Sequence, residues 1–192
     1  VAGTYTLTVT APNGCKDSDT VVVTKDNDLP NVAAGADTVL NCTNELSVTL
    51  DGSSSTAGVT YAWSGPTSFT SDMAAPTATV AGTHSLTVTA PNGCTNSDTV
   101  VVTKDNDLPN VAAGADKKLN CTNELSVTLD GSSSTAGVTY AWSGPNSFTS
   151  DMAAPTATVA GTYTLTVTAP NGCKDSDTVV VTKDNDLPNV AA

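Results

Sequence analysis

Internal repetition governs what this chain can fold into. Residues 80–158 repeat residues 1–79 with seven changes, and residues 159–192 repeat residues 1–34 with none. The changes are Tyr5/His84, Thr6/Ser85, Lys16/Thr95, Asp17/Asn96, Thr38/Lys117, Val39/Lys118 and Thr67/Asn146. Such a chain folds as a string of one structural unit. Near-identical tandem copies argue against an enzyme, because a catalytic site is a singular arrangement.

The residues that fill the period favour strands. Thr is the commonest residue, and Thr and Val are β-branched. Helix formers are scarce, with two Glu, two Met and no Gln or Arg. Ten Pro and fourteen Gly punctuate the chain at short intervals, as in an all-β protein. The net charge of −12, with seven Lys as the only cations, disfavours nucleic acid as a partner. No apolar run approaches the roughly 18 residues of a membrane helix, so no membrane insertion is expected. Two cysteines per period and no Cys-x-x-Cys motif suggest an oxidising, extracellular or cell-surface setting.

The segment Lys104-Asp105-Asn106-Asp107-Leu108-Pro109 is polar, ends in Pro and follows three valines. Cutting there predicts two complete repeats at 29–107 and 108–186. Residues 1–28 become the C-terminal part of a preceding repeat, and 187–192 the start of a following one. Within 29–107 the apolar residues alternate with period 2: Leu46, Val48, Leu50; then Val59, Tyr61, Trp63; then Leu86, Val88. Short strands are also predicted at Val39–Cys42 and Thr77–Val80. A last strand at Val100–Val102 is predicted to be apolar on both faces. About seven strands in 79 residues predict an all-β fold of tandem antiparallel β-sandwiches.

The runs Leu50-Asp51-Gly52-Ser53-Ser54-Ser55, Val59-Thr60-Tyr61-Ala62-Trp63-Ser64-Gly65-Pro66 and Ala81-Gly82-Thr83-x-Ser85-Leu86-Thr87-Val88-Thr89 carry a family resemblance. They resemble a PKD-type immunoglobulin-like repeat. The Pro91-Asn92-Gly93-Cys94 ending is similar to tandem repeats of giant Bacteroidota cell-surface proteins, including the SprB-type gliding adhesins. One departure is Ser64-Gly65-Pro66 after the strand-C Trp, where PKD domains often carry Trp-Asp-Phe-Gly-Asp-Gly. The resemblance implies a core in which Trp63 and Trp142 pack on Leu50, Leu86, Leu129 and Leu165, with leucines where antibody domains place a disulfide.

In that topology Cys42 lies at the A–B end of a sandwich and Cys94 at the F–G end, on the order of 25 Å apart at ~3.3 Å per strand residue. A disulfide needs Cα atoms about 4.4–6.8 Å apart. A cross-junction bridge, Cys42 with Cys173, is therefore favoured, leaving Cys15, Cys94 and Cys121 to partners elsewhere. The alternative pairs within repeats, Cys42 with Cys94 and Cys121 with Cys173, stay open, as do bridges between chains and free thiols.

Other groups carry competing readings. The pairs Asp26/Asp28, Asp105/Asp107 and Asp184/Asp186 flank an Asn at each junction, and hard oxygen donors suit Ca²⁺. They are similar to cadherin linkers, although a plain solvated linker explains them as well. Thr20, Thr38, Thr99 and Thr178 each follow Asp and precede an aliphatic residue, resembling the Bacteroidota O-glycosylation motif. Chance in a Thr-rich chain produces the same pattern. His84 is the only histidine and stands where Tyr5 and Tyr163 stand, so no Ser/His/Asp set recurs. Phe69, Phe148, Met73 and Met152 read as a satellite core or as an apolar patch where neighbouring chains meet.

The expected role is a non-catalytic structural repeat of a long extracellular filament, stalk or surface fibre, giving length and rigidity. Its partners would be further repeats of the same chain and neighbouring chains. The alternatives are a ligand-binding gliding or attachment adhesin, with surface polysaccharide as partner, or a PKD-type spacer of a secreted polysaccharide-degrading enzyme.

Overall fold

The computed structural model of the chain describes residues 1–123, 125–184 and 186; the predicted start of a further repeat at 187–192 lies outside them. Nearly all regular structure is β. Strands β1 (Gly3–Thr10) and β2 (Lys16–Val23) form an antiparallel hairpin in which Gly3 faces Val23 and Thr10 faces Lys16. The next repeat contributes β3 (Thr38–Asn41), β4 (Val48–Thr49), β5 (Thr60–Gly65), β6 (Phe69–Ser71), β7 (Thr77–Ala78), β8 (Gly82–Thr89) and β9 (Thr95–Asp105). The last contributes β10 (Lys117–Leu119), β11 (Val127–Thr128), β12 (Thr139–Gly144), β13 (Phe148–Ser150), β14 (Thr156–Ala157), β15 (Gly161–Thr168) and β16 (Lys174–Lys183).

In each repeat a five-stranded sheet lies with a two-stranded one. The orders are β3-β9-β8-β5-β6 with β4-β7, and β10-β16-β15-β12-β13 with β11-β14. These are immunoglobulin-like β-sandwiches. One pairing in each repeat departs from the antiparallel expectation: β3 runs parallel to β9, and β10 parallel to β16. The first strand of each repeat caps the open edge of the last strand, and a covered edge is protected against pairing with other chains.

The period-2 pattern decides which side chains enter the core. In β15, Tyr163, Leu165 and Val167 point inward between threonines. They cluster with Leu119, Leu129, Trp142, Ala157, Val179 and Val181. Leu50, Trp63, Leu86, Val88, Val100 and Val102 are buried likewise in the preceding repeat. The last strand carries valine on both faces but is buried on only one: Val100 and Val102 are 1% exposed, whereas Val101 is 38% exposed. Strict alternation of a pleated strand turns the middle valine outward. The Asp-Gly after each core leucine also has a packing reason. A Cβ on Gly131 would lie 2.8 Å from Trp142 Cζ2 and 2.9 Å from Leu165 Cδ2, so only glycine lets the tryptophan seat.

The chain divides into two compact units, Val1–Asp37 with Thr49–Ala78 and Gly82–Val101, and Thr38–Val48 with Thr79–Ala81 and Val102–Ala192. Thr38–Asn41 belongs with the second because it pairs residue for residue with Val102–Asp105.

His84 occupies the buried place that Tyr163 fills in the next repeat, and each packs edge-on against a phenylalanine, Phe69 or Phe148. Tyr163 Oη donates to the Val159 carbonyl at 2.8 Å. His84 Nε2 is buried with no partner. An unsatisfied buried polar atom costs about 1–3 kcal/mol. The variant His84→Tyr is therefore expected to stabilise its repeat by about 1 kcal/mol in chemical denaturation. A destabilised variant would show that the site cannot admit the larger ring. Phe148 thus packs on the main core of its repeat rather than forming a satellite core, Phe69 meets His84 in the same way, and Met73 and Met152 stay exposed.

Candidate functional site

The candidate site is a clasp built from two short loops. The loop after β3 reads Asn41-Cys42-Thr43-Asn44, and its two asparagines fold it. Asn41 N–H donates to Asn44 Oδ1, while Asn41 Oδ1 accepts from Thr43 and Asn44 N–H. Asn44 Nδ2 donates to the Val39 carbonyl at 2.7 Å. This leaves Cys42 at the loop tip. The turn between β15 and β16 reads Ala169-Pro170-Asn171-Gly172-Cys173. Ala169 N–H donates to the Cys173 carbonyl, Gly172 N–H to the Ala169 carbonyl, and Cys173 N–H to Asn171 Oδ1.

Cys42 and Cys173 are joined by a disulfide, with Cα atoms 4.9 Å apart across 131 residues of sequence. The bond ties a loop of one repeat to a turn of the next. Pairing within repeats, Cys42 with Cys94 and Cys121 with Cys173, is overturned, since Cys42 and Cys173 hold each other. Cys15, Cys94 and Cys121 are free. The loops meet closely: a Cβ on Gly172, at φ +80°, would lie 2.3 Å from Thr43 Oγ1. Both the left-handed backbone and the approach of Thr43 require glycine there.

The acidic junctions are occupied by amide groups. Asn92 Nδ2 donates to Asp26 Oδ1 at 2.9 Å and to the Asp28 carbonyl at 3.0 Å. Asn171 Nδ2 does the same for Asp105 Oδ1 at 2.7 Å and the Asp107 carbonyl at 3.0 Å. Asp184 pairs with Lys118 and accepts the Asp186 N–H. The Asn92 amide, and then the Asp28 N–H, hold the Asp26 carboxyl below the usual carboxylate range. The Lys118 ammonium does the same for Asp184. Calcium takes six to eight oxygen ligands. An amide N–H₂ is a donor and fills the place a cation would need. Among the described residues no three His, Cys, Asp or Glu side chains gather to hold a metal ion.

Four further carboxylates act as backbone clamps that nothing in the sequence pattern signals. Asp98 Oδ2 accepts Ala34 N–H at 2.9 Å, and Asp177 Oδ2 accepts Ala113 N–H at 2.8 Å. Asp37 and Asp116 similarly accept Val101 and Val180 N–H. The Ala34 and Ala113 amides, and then the following Thr N–H groups, depress the Asp98 and Asp177 pKa values. A depressed folded-state pKa contributes stability in full above the unfolded carboxylate value of about 4, and loses it as pH falls through the folded value. Asp177→Asn should therefore lower the melting temperature at neutral pH and flatten its fall below about pH 4. Identical acid sensitivity in the variant would refute the clamp.

Asp37, Asp98 and Asp177 belong to the Asp-Thr-aliphatic motifs, whereas Asp116 precedes Lys117. Thr20, Thr99 and Thr178 are exposed, whereas Thr38 is half-buried in β3. The recess over β12 and β13 is open and lined by Tyr140, Ala141, Trp142, Thr149, Ser150 and Asp151. No nucleophile–base pair lines it.

No family model matches the chain, and no curated protein matches it. Among solved structures, the chain is similar to one described as a Ca²⁺-stabilized adhesin that helps an Antarctic bacterium reach out and bind ice. That likeness has a TM-score of 0.56 and 16% identity over 95% of this chain. The chain spans 57% of that structure's length. A second likeness, to a structure of a 1.5-MDa bacterial ice-binding adhesin, has a TM-score of 0.52 and 15% identity. It covers 95% of this chain and 74% of the other. At such identities the likeness concerns the fold: the chain is a tandem array of immunoglobulin-like β-sandwiches.

Proposed function

We propose that the chain is a non-catalytic structural repeat of a long extracellular filament, stalk or surface fibre. The disulfide from one repeat to the next carries this reading. A bond inside each repeat would stabilise beads, whereas a bond between repeats stiffens the string. The amide–carboxylate clasps at Asp26 and Asp105 serve the same end without a metal. Exposed threonines at 20, 99 and 178 offer sites for glycans that would protect such a fibre. Electron microscopy of the native material should show fibres of regular repeat. Isolated compact particles would refute the proposal. Adding millimolar Ca²⁺ is expected to leave the melting temperature unmoved. A rise would show that the junction aspartates exchange their amide partners for the cation.

The fold likeness to bacterial adhesins supports a second reading, a ligand-binding attachment adhesin. Its ligand would be a surface polysaccharide. Glycan-array binding that survives dilution into single chains would favour it over the purely structural role.

A further inference from the structure

We propose that Cys94 and Cys121 are each half of a bridge to a further copy of the repeat, so that the disulfides form an interleaved ladder carrying load past the sandwiches. The inference rests on the fibre reading above. Its basis is the 79-residue period. Cys94 is the counterpart of Cys173, and Cys121 the counterpart of Cys42. Each is presented in the same way. Cys94 N–H donates to Asn92 Oδ1 at 2.9 Å, as Cys173 N–H does to Asn171 Oδ1. Asn120 and Asn123 fold the Cys121 loop as Asn41 and Asn44 fold that of Cys42.

The surfaces differ only in being covered or bare. Cys173 is 1% exposed and its neighbour Gly172 meets Thr43. Cys94 is half-buried, and a Cβ on Gly93 would meet nothing within 4 Å. The bare turn at Cys94 thus has the shape that an Asn-Cys-Thr-Asn loop covers at Cys173. The exposed loop at Cys121 is such a loop without a turn on it. Loop cysteines therefore pair with turn cysteines. Each bridge forms by thiol–disulfide exchange: two thiols lose two protons and two electrons to a disulfide oxidant such as oxidised glutathione, which leaves as two thiols.

The mechanical consequence follows from connectivity. Cys121 lies between Cys42 and Cys173 in sequence, so successive bridges overlap. Tension entering at Cys42 crosses directly to Cys173 and bypasses 131 residues, which unfolded would span about 450 Å at ~3.3–3.6 Å per residue. From a turn cysteine to the next loop cysteine is 27 residues, as between Cys94 and Cys121. Eleven of those form β9, already extended. Two periods of fibre can then lengthen to only about 100 Å between bridges, against about 550 Å for the unbridged chain.

The test is to oxidise the 192-residue chain in a glutathione buffer and digest it without reduction, cleaving before Asp. The four later cysteines then fall in separate peptides of distinct mass. Cys42 with Cys173 is expected in every molecule, and Cys121 is expected linked to Cys15 or Cys94 of another copy. Cys121→Ser should abolish the intermolecular links. Links between like classes, Cys121 to Cys121 or Cys15 to Cys94, in comparable yield overturn the ladder, as do thiols that stay reduced. In the native protein, a band of unchanged mass without reductant places the bridges within one chain, and a series of multiples places them between chains. Pulled by its ends, the 192-residue chain should gain about 450 Å of contour on reduction; no gain removes the load path. Random pairing in regular fibres would defeat this inference alone. Class-selective pairing in material that forms no fibres would instead defeat the fibre reading.

Discussion

In the 192-residue chain, Leu165→Ala should cost the second complete repeat about 3–4 kcal/mol of unfolding free energy, while Leu7→Ala, on a hairpin that nothing covers there, should cost less than about 0.5. The two leucines occupy the same place in identical sequence, Gly-Thr-Tyr-Thr-Leu-Thr-Val-Thr. Leu165 is fully buried, and Leu7 is 69% exposed. Leu165 sits among Trp142, Leu129, Val179 and Val167, and Gly131 presses from below with no side chain able to fill a void. A site so framed collapses little when atoms are removed, and the residual cavity adds to the lost transfer energy. Urea unfolding followed by Trp142 fluorescence, in a Trp63→Phe background, would measure Leu165→Ala, and far-ultraviolet circular dichroism of the whole chain would compare the two variants. Equal effects at both positions would mean that the hairpin β1–β2 has the same packed surroundings as β15–β16, contrary to its exposure.

The same comparison shows what the sequence makes legible. Core residues announce themselves because burial in a sandwich imposes period 2, and Trp142, Leu129 and Leu165 obey it. The bond between Cys42 and Cys173 was legible only in part: the topology that the resemblance implies places the two cysteines of one repeat at opposite ends, which favoured a partner in the next repeat but left pairing within repeats open. The parallel docking of β3 and β10 was not legible, since a three- or four-residue strand carries no signal of its direction. The amide clasps were hidden as well. Asn92 and Asn171 read as ordinary turn residues, and nothing local shows that their side chains reach carboxylates more than sixty positions earlier. The junction aspartates accordingly suggested a cation where the structure supplies an N–H donor.

Cys42→Ser should remove up to about 5 kcal/mol from the combined stability of the chain, whereas Cys94→Ser should change it by less than about 0.5. The first figure is the entropy that a cross-link of 131 residues withdraws from the unfolded ensemble. It is near the upper end of what one disulfide contributes, because the closed loop is long. In the unlinked 192-residue chain the second substitution touches a free thiol and so acts as the control. The form of the transition should change along with its position. With the bridge intact, unfolding either repeat leaves Cys42 and Cys173 tethered, so the repeats share one entropy term and melt together. Without it, each repeat melts at its own temperature, with the one that buries His84 expected first. Calorimetry of the two variants would resolve this. A single unshifted transition in Cys42→Ser would mean that the bridge stabilises neither repeat, and that the stiffness of the string comes from the asparagine clasps alone.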